Sequence, residues 1–143
     1  IKYIYTYIKR NTFQTSFNEI YYYSVQILVN LSMIYGIDCN IIRDVNIKNN
    51  RYVLGEFRSY DQKITLYLGS IYKVSSNNKL IFICRFINTY LHEYRHYIQY
   101  KKGFISNPVI YKKYNLEEDA NNFAFWNTFK IIINMIINKI KNK

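Results

Sequence analysis

The sequence predicts an α+β fold, and two patterns carry that prediction. Apolar residues recur at helical spacing over about 17–35, 78–101 and 115–140. Between the first two of these, residues 37–68 are rich in β-branched and aromatic side chains bounded by turn residues, the mark of short strands. The length of 143 residues suits a single domain, 1–143, with a core of useful size.

Each element has its own signal. Residues 3–8 alternate loosely and fit either a short strand, a fourth for the sheet, or the edge of a helix. Ser16 and Glu19 form a capping box, and Ile20, Tyr23, Val25, Ile27, Leu28, Leu31, Ile34 and Tyr35 follow broadly at helical spacing. Gly36 closes that helix, which is expected to cover a sheet face. Ile41, Ile42, Val45 and Ile47 predict one strand, ended by Asn49-Asn50. Tyr52–Phe57 predicts a second and Ile64–Leu68 a third, with Ser59–Gln62 as the turn between them. The loop Ser75–Asn78 carries an N-cap for the helix over 78–101, and Gly103 closes it. Pro108 marks a connection. Asn115 caps the last helix, whose predicted buried stripe is Phe125, Phe129, Ile132, Ile133, Ile136, Ile137 and Ile140.

Composition narrows the function classes. Net charge is +11, which permits attraction to nucleic acid, an anionic membrane surface or an acidic protein. The lysines and arginines are scattered, so a solvated basic surface is favoured over a nucleic-acid stripe. Cys39 and Cys84 form no CxxC pair and read as free thiols. No secretory leader is visible after Ile1, and a cytoplasmic location is expected. The most apolar run, 123–137, is interrupted by Asn127, Lys130 and Asn134, so no membrane span is expected.

The chemistry concentrates in Leu91-His92-Glu93-Tyr94-Arg95-His96-Tyr97. Both histidines of the chain lie here, four residues apart, with a glutamate after the first. Random placement gives this spacing about once in two thousand tries, which argues against coincidence. On a helix, positions i and i+4 share a face, so two imidazoles can bind one zinc ion and Glu93 can serve as general base. A catalytic zinc takes a third protein ligand, and there is no third histidine. Glu117, Glu118 and Asp119 are the acids after the motif. Glu117 shares a helix face with Ala120, Asn121 and Ala124, and the two alanines allow close approach of another helix. Glu117 is therefore the expected ligand, Glu118 the runner-up and Asp119 third. Asn121 is expected to hydrogen-bond a ligand histidine or nearby backbone.

With those residues placed, the chain resembles the glutamate-zincin metallopeptidases. Their pattern is HExxH, a connection of some twenty or more residues, then a helix carrying ExxA followed by Asp or Asn. His92-Glu93-x-x-His96 and Glu117-x-x-Ala120-Asn121 match it, and the trailing Phe123-Ala124 is similar to the ImmA/IrrE family. The resemblance implies a minimal zincin fold: an N-terminal helix, a small sheet of three strands or four, the HExxH helix, and a long C-terminal helix with the third ligand. It implies hydrolysis of peptide bonds by water activated on zinc, and a regulatory protease of few protein or peptide substrates, with a regulatory protein as a further partner. Two features depart from the family pattern. Arg95 puts a charge between the histidines, and a later oxyanion-stabilising histidine is missing, a role that falls to Tyr114 or Tyr111. Strand 64–68 is expected to pair with extended substrate. The alternative reading is a weak or inactive zincin-fold module that binds protein or nucleic acid. A structural zinc is disfavoured because it needs four protein ligands.

Overall fold

A computed structural model describes residues 13–37, 39–76, 78–104 and 115–142. The predicted α+β class holds: helices flank a small three-stranded sheet, with a separate two-stranded ribbon. Helix α1 spans Phe13–Tyr35 and Gly36 ends it at φ 73°, a conformation open to glycine. The helix starts before the expected N-cap, so Ser16 and Glu19 lie inside it. Ile20, Ser24, Leu28 and Leu31 form its buried face. The segment at 3–8 lies outside the described residues.

The strands are β1 (Cys39–Ile42), β2 (Ile47–Lys48), β3 (Arg51–Tyr52), β4 (Gly55–Arg58) and β5 (Lys63–Tyr67). Their order in the main sheet is β1-β5-β4. β5 runs parallel to β1, pairing Cys39 with Ile64 through Ile42 with Tyr67, and antiparallel to β4, pairing Gly55 with Leu66 through Arg58 with Lys63. The single strand expected over 41–47 is instead two, and so is that over 52–57. Between β1 and β2 the chain bends around Ser70, whose hydroxyl takes the Asn46 N–H at 2.8 Å and donates to the Asn46 carbonyl at 3.1 Å. β2 and β3 then close a tight hairpin through Asn49 and Asn50 at φ 53° and 61°, a turn asparagine tolerates.

Helix α2 (Leu68–Val74) was not foreseen, and Leu68, expected in a strand, begins it. It has seven residues, no side-chain N-cap and an internal glycine, so its sequence signal is weak. The glycine has a packing reason. A Cβ on Gly69 would sit 2.6 Å from the Arg43 carbonyl oxygen.

Helix α3 (Lys79–Lys101) is capped by Asn78, whose side chain accepts from the Ile81 N–H at 3.1 Å. It buries Phe82, Phe86, Ile87, Tyr90 and Leu91 among Ile64, Leu66, Leu68, Ile71 and the α1 face. Its Leu80 and Ile81 are exposed. α1 lies on α2 and α3: Phe17 meets the Tyr72 ring edge-on at 5.4 Å, and Tyr35 packs on Tyr90 and Tyr94.

Helix α4 (Leu116–Lys141) starts at Asn115, whose side chain accepts from the Glu118 N–H at 3.0 Å. The face it turns to α3 is Leu116, Ala120, Ala124 and Thr128. The stripe expected to be buried is the wrong one. Phe125, Phe129, Ile133, Ile136, Ile137 and Ile140 are exposed, and only Ile132 of that set packs partly on the core. The helix is apolar on two faces, and the face with the smallest side chains won because it brings the two backbones closest. α4 also outruns its neighbour. His96 lies opposite Glu117 and Arg95 opposite Asp119. Continued down the antiparallel pair, α3 begins level with about residue 134 of α4.

Candidate metal centre

Mid-helix placement of the HExxH run is what makes its spacing effective. His92 and His96 stand one turn apart on α3, rings edge-on with centroids 4.7 Å apart. Their Nε2 atoms are 3.1 Å apart. From α4, Glu117 places Oε1 2.9 Å from His96 Nε2 and Oε2 3.3 Å from His92 Nε2. The three residues offer donor atoms within 4.8 Å of one another, and among the described residues this is the one such cluster of three or more. Two zinc–nitrogen bonds of about 2.05 Å at a tetrahedral angle would separate their nitrogens by about 3.3 Å. The observed spacings fit that span closely, so the residues can hold a metal ion.

Neighbouring groups fix the histidines. Gln99 is one turn beyond His96 and fully buried. Its amide nitrogen donates to the Leu116 carbonyl and to Asp119 Oδ2, both at 2.9 Å. Its oxygen is thereby aimed at His96 Nδ1, 2.8 Å away. Nδ1 must carry the proton, which leaves the Nε2 lone pair for a metal. Burial and the His96 ring hold the His92 pKa below its ordinary value, against the Glu117 charge and a hydrogen bond with Asn121. A neutral imidazole is the form that ligates.

Arg95, the misfit in the motif, points away from the donors. Its Nε and Nη2 donate to Asp119 Oδ2 and Oδ1 at 2.7 and 3.2 Å, and its guanidinium lies 5.1 Å from the Phe123 ring centroid. It clamps α3 to α4. Asp119 is therefore a clamp residue and lies outside the donor cluster. Glu118, one position round the helix, is also outside it. Tyr111 and Tyr114 lie outside the described residues.

Glu93 is 8% exposed, with Oε1 4.0 Å from His92 Nε2. Burial pushes its carboxyl up to about 8, Glu117 and Glu56 add to the rise, and a hydrogen bond from the Phe57 backbone opposes it. That bond brings β4 beside the centre. Among the described residues β4 has one strand neighbour, β5, and no strand pairs with its other edge. β5 lies between β1 and β4, so the strand expected to pair with substrate has no free edge. Tyr67 N–H donates to the Leu54 carbonyl at 2.8 Å, which turns Leu54, Glu56 and Arg58 toward β5 and Gly55 and Phe57 toward the other edge.

Sequence reading missed Gln99, the pairing of Arg95 with Asp119, and the place of β4 beside the centre. Gln99 had a usable signal, since it follows His96 at i+3. The others depend on which elements meet. No family model, curated protein or solved structure matches the chain.

Proposed function

We propose that this chain is a zinc metallopeptidase of minimal glutamate-zincin type, hydrolysing peptide bonds in a small set of protein substrates as an intracellular regulatory enzyme. The observation that carries the reading is the convergence of His92, His96 and Glu117 with the buried carboxylate of Glu93 beside them. These three residues would hold the ion through two imidazole nitrogens and a carboxylate, a set suited to zinc. Bound there, zinc would supply Lewis acidity toward a carbonyl oxygen and toward water.

The chain's own groups do the rest. Glu93 is the proposed general base, taking a proton from the attacking water and returning it to the leaving amine; a cation bound beside it would lower its raised pKa and favour the carboxylate that this role needs. Phe57 N–H orients the Glu93 carboxylate. The edge of β4 that no described strand pairs, rather than β5, is the place for an extended peptide, held by backbone hydrogen bonds. Glu117 is exposed, so the donors face solvent and a substrate can reach them.

Metal content and hydrolysis test this together. Purified protein is expected to carry one zinc per chain, to lose it in Glu117→Ala and to keep it in Glu118→Ala. Glu93→Gln is expected to keep zinc and to lower casein-peptide hydrolysis by about 10²–10⁴-fold. A protein that takes up no metal, or a Glu93→Gln variant as active as the parent, refutes the proposal.

A further inference from the structure

The corrected orientation of α4 leaves a large apolar face on the outside. Trp126, Phe129, Ile133, Ile136 and Ile140 alternate three and four residues apart, the heptad spacing of a two-helix seam. Their exposures are 60, 57, 38, 42 and 67%. A monomeric protein seldom shows so long an apolar stripe on one straight element. From Ala120 to Asn142 the helix contains no acid, and its charges are Lys130, Lys139 and Lys141. Lys130 and Lys139 fall at the positions that border such a seam.

We propose that this face docks an acidic amphipathic helix of another protein. The seam supplies the apolar contacts, and the lysines select a partner with glutamate or aspartate at its flanking positions. A second copy is a poor occupant, because it would bring the same lysines and another +11 chain against the first. The seam also joins a cavity of about 390 Å³ between α3 and α4, lined in part by Cys84, Arg85 and Asn88 on one side and Phe125, Phe129 and Ile132 on the other. That volume accepts an apolar anchor residue. Arg85 adds a positive charge to its wall. Asn88 is one turn before His92, so a partner anchored in the cavity sits next to the metal centre and is placed to control access to it. Docking itself needs no metal.

The test uses Trp126, the single tryptophan of the chain, as a reporter. The full chain is titrated, with and without EDTA, with a three-heptad peptide carrying leucine at the core positions and glutamate at the flanks. A counterpart with lysine flanks serves as control. The acidic peptide is expected to shift Trp126 emission to the blue and to bind at least about tenfold tighter than the basic one, less so at high salt. The double variant Ile133→Ser/Ile136→Ser alters exposed positions only and is expected to keep its circular dichroism while losing at least about tenfold in affinity. Equal binding of the two peptides, or unchanged binding by the double variant, overturns the proposal. So does a seam-dependent dimer in sedimentation, which would assign the face to a second copy. A blue shift with phosphatidylserine vesicles and none with the acidic peptide would assign it to an anionic membrane surface and overturn it equally.

Discussion

Replacing Arg95 by methionine tests the clamp that holds the two ligand-bearing helices together. Methionine keeps much of the aliphatic length and removes the guanidinium. Two charge-assisted hydrogen bonds to Asp119, at 2.7 and 3.2 Å, are lost. Each such bond contributes about 1.5–3 kcal/mol when well buried. The pair is about one-fifth exposed on each side (23 and 22%), so solvent recovers part of that. Asp119 also keeps its bond from Gln99. The net loss is expected to be about 2 kcal/mol. With a urea dependence of about 2 kcal/mol per molar, the unfolding midpoint of the metal-free protein should fall by about 1 M. Asp119→Ala should cost a similar amount, and the two together little more than either alone, with a coupling energy of at least about 1 kcal/mol. Additive losses in that double-mutant cycle would show that the clamp is not the source of the stability and would refute the reasoning.

Three further outcomes follow from neighbouring geometry. Gln99→Leu removes the acceptor that fixes the His96 tautomer, so zinc affinity measured against a chromogenic chelator should fall about 10–100-fold while Glu118→Ala leaves it unchanged. Gly69→Ala forces a Cβ to within 2.6 Å of the Arg43 carbonyl oxygen and should lower Tm by roughly 6 °C through a loss of about 2 kcal/mol, and an unchanged Tm would mean that this turn yields freely. Burial, with the nearby Glu93 charge, pushes the Cys39 thiol up to about 12. The folded state therefore favours the protonated thiol. Its contribution is intact below the unfolded value near 9 and is lost as pH rises toward 12. At pH 8.5, iodoacetamide should modify Cys39 more than about a hundredfold more slowly in the native protein than in urea, and similar rates in both would contradict the burial.

The grouping of the candidate donors was legible from local spacing alone. A helix of fixed pitch places His92 and His96 on one face wherever it sits, and the same rule grouped Glu117, Ala120 and Asn121. The elements on either side were legible for similar reasons: the loop Ser75–Asn78 does hold a cap, which the structure puts at Asn78, Asn115 is a true cap, Gly36 and Gly103 are true stops at φ 73° and 77°, and Asn49-Asn50 is a true turn. These are local properties of a few consecutive residues.

Tertiary structure decided which faces meet. α4 offered an aromatic and isoleucine stripe and a small-residue stripe, and periodicity ranked the larger as core. Close approach to α3 required the alanines, which left the larger stripe outside. The short helix α2, the split of the predicted strands around Ser70 and the central position of β5 likewise depend on partners distant in the chain. So does the role of Arg95, a charge that looks misplaced inside the motif until Asp119 of another helix stands opposite it. A side chain's spacing along its own helix follows from the backbone, but its partner across the interface follows only from how the helices pack.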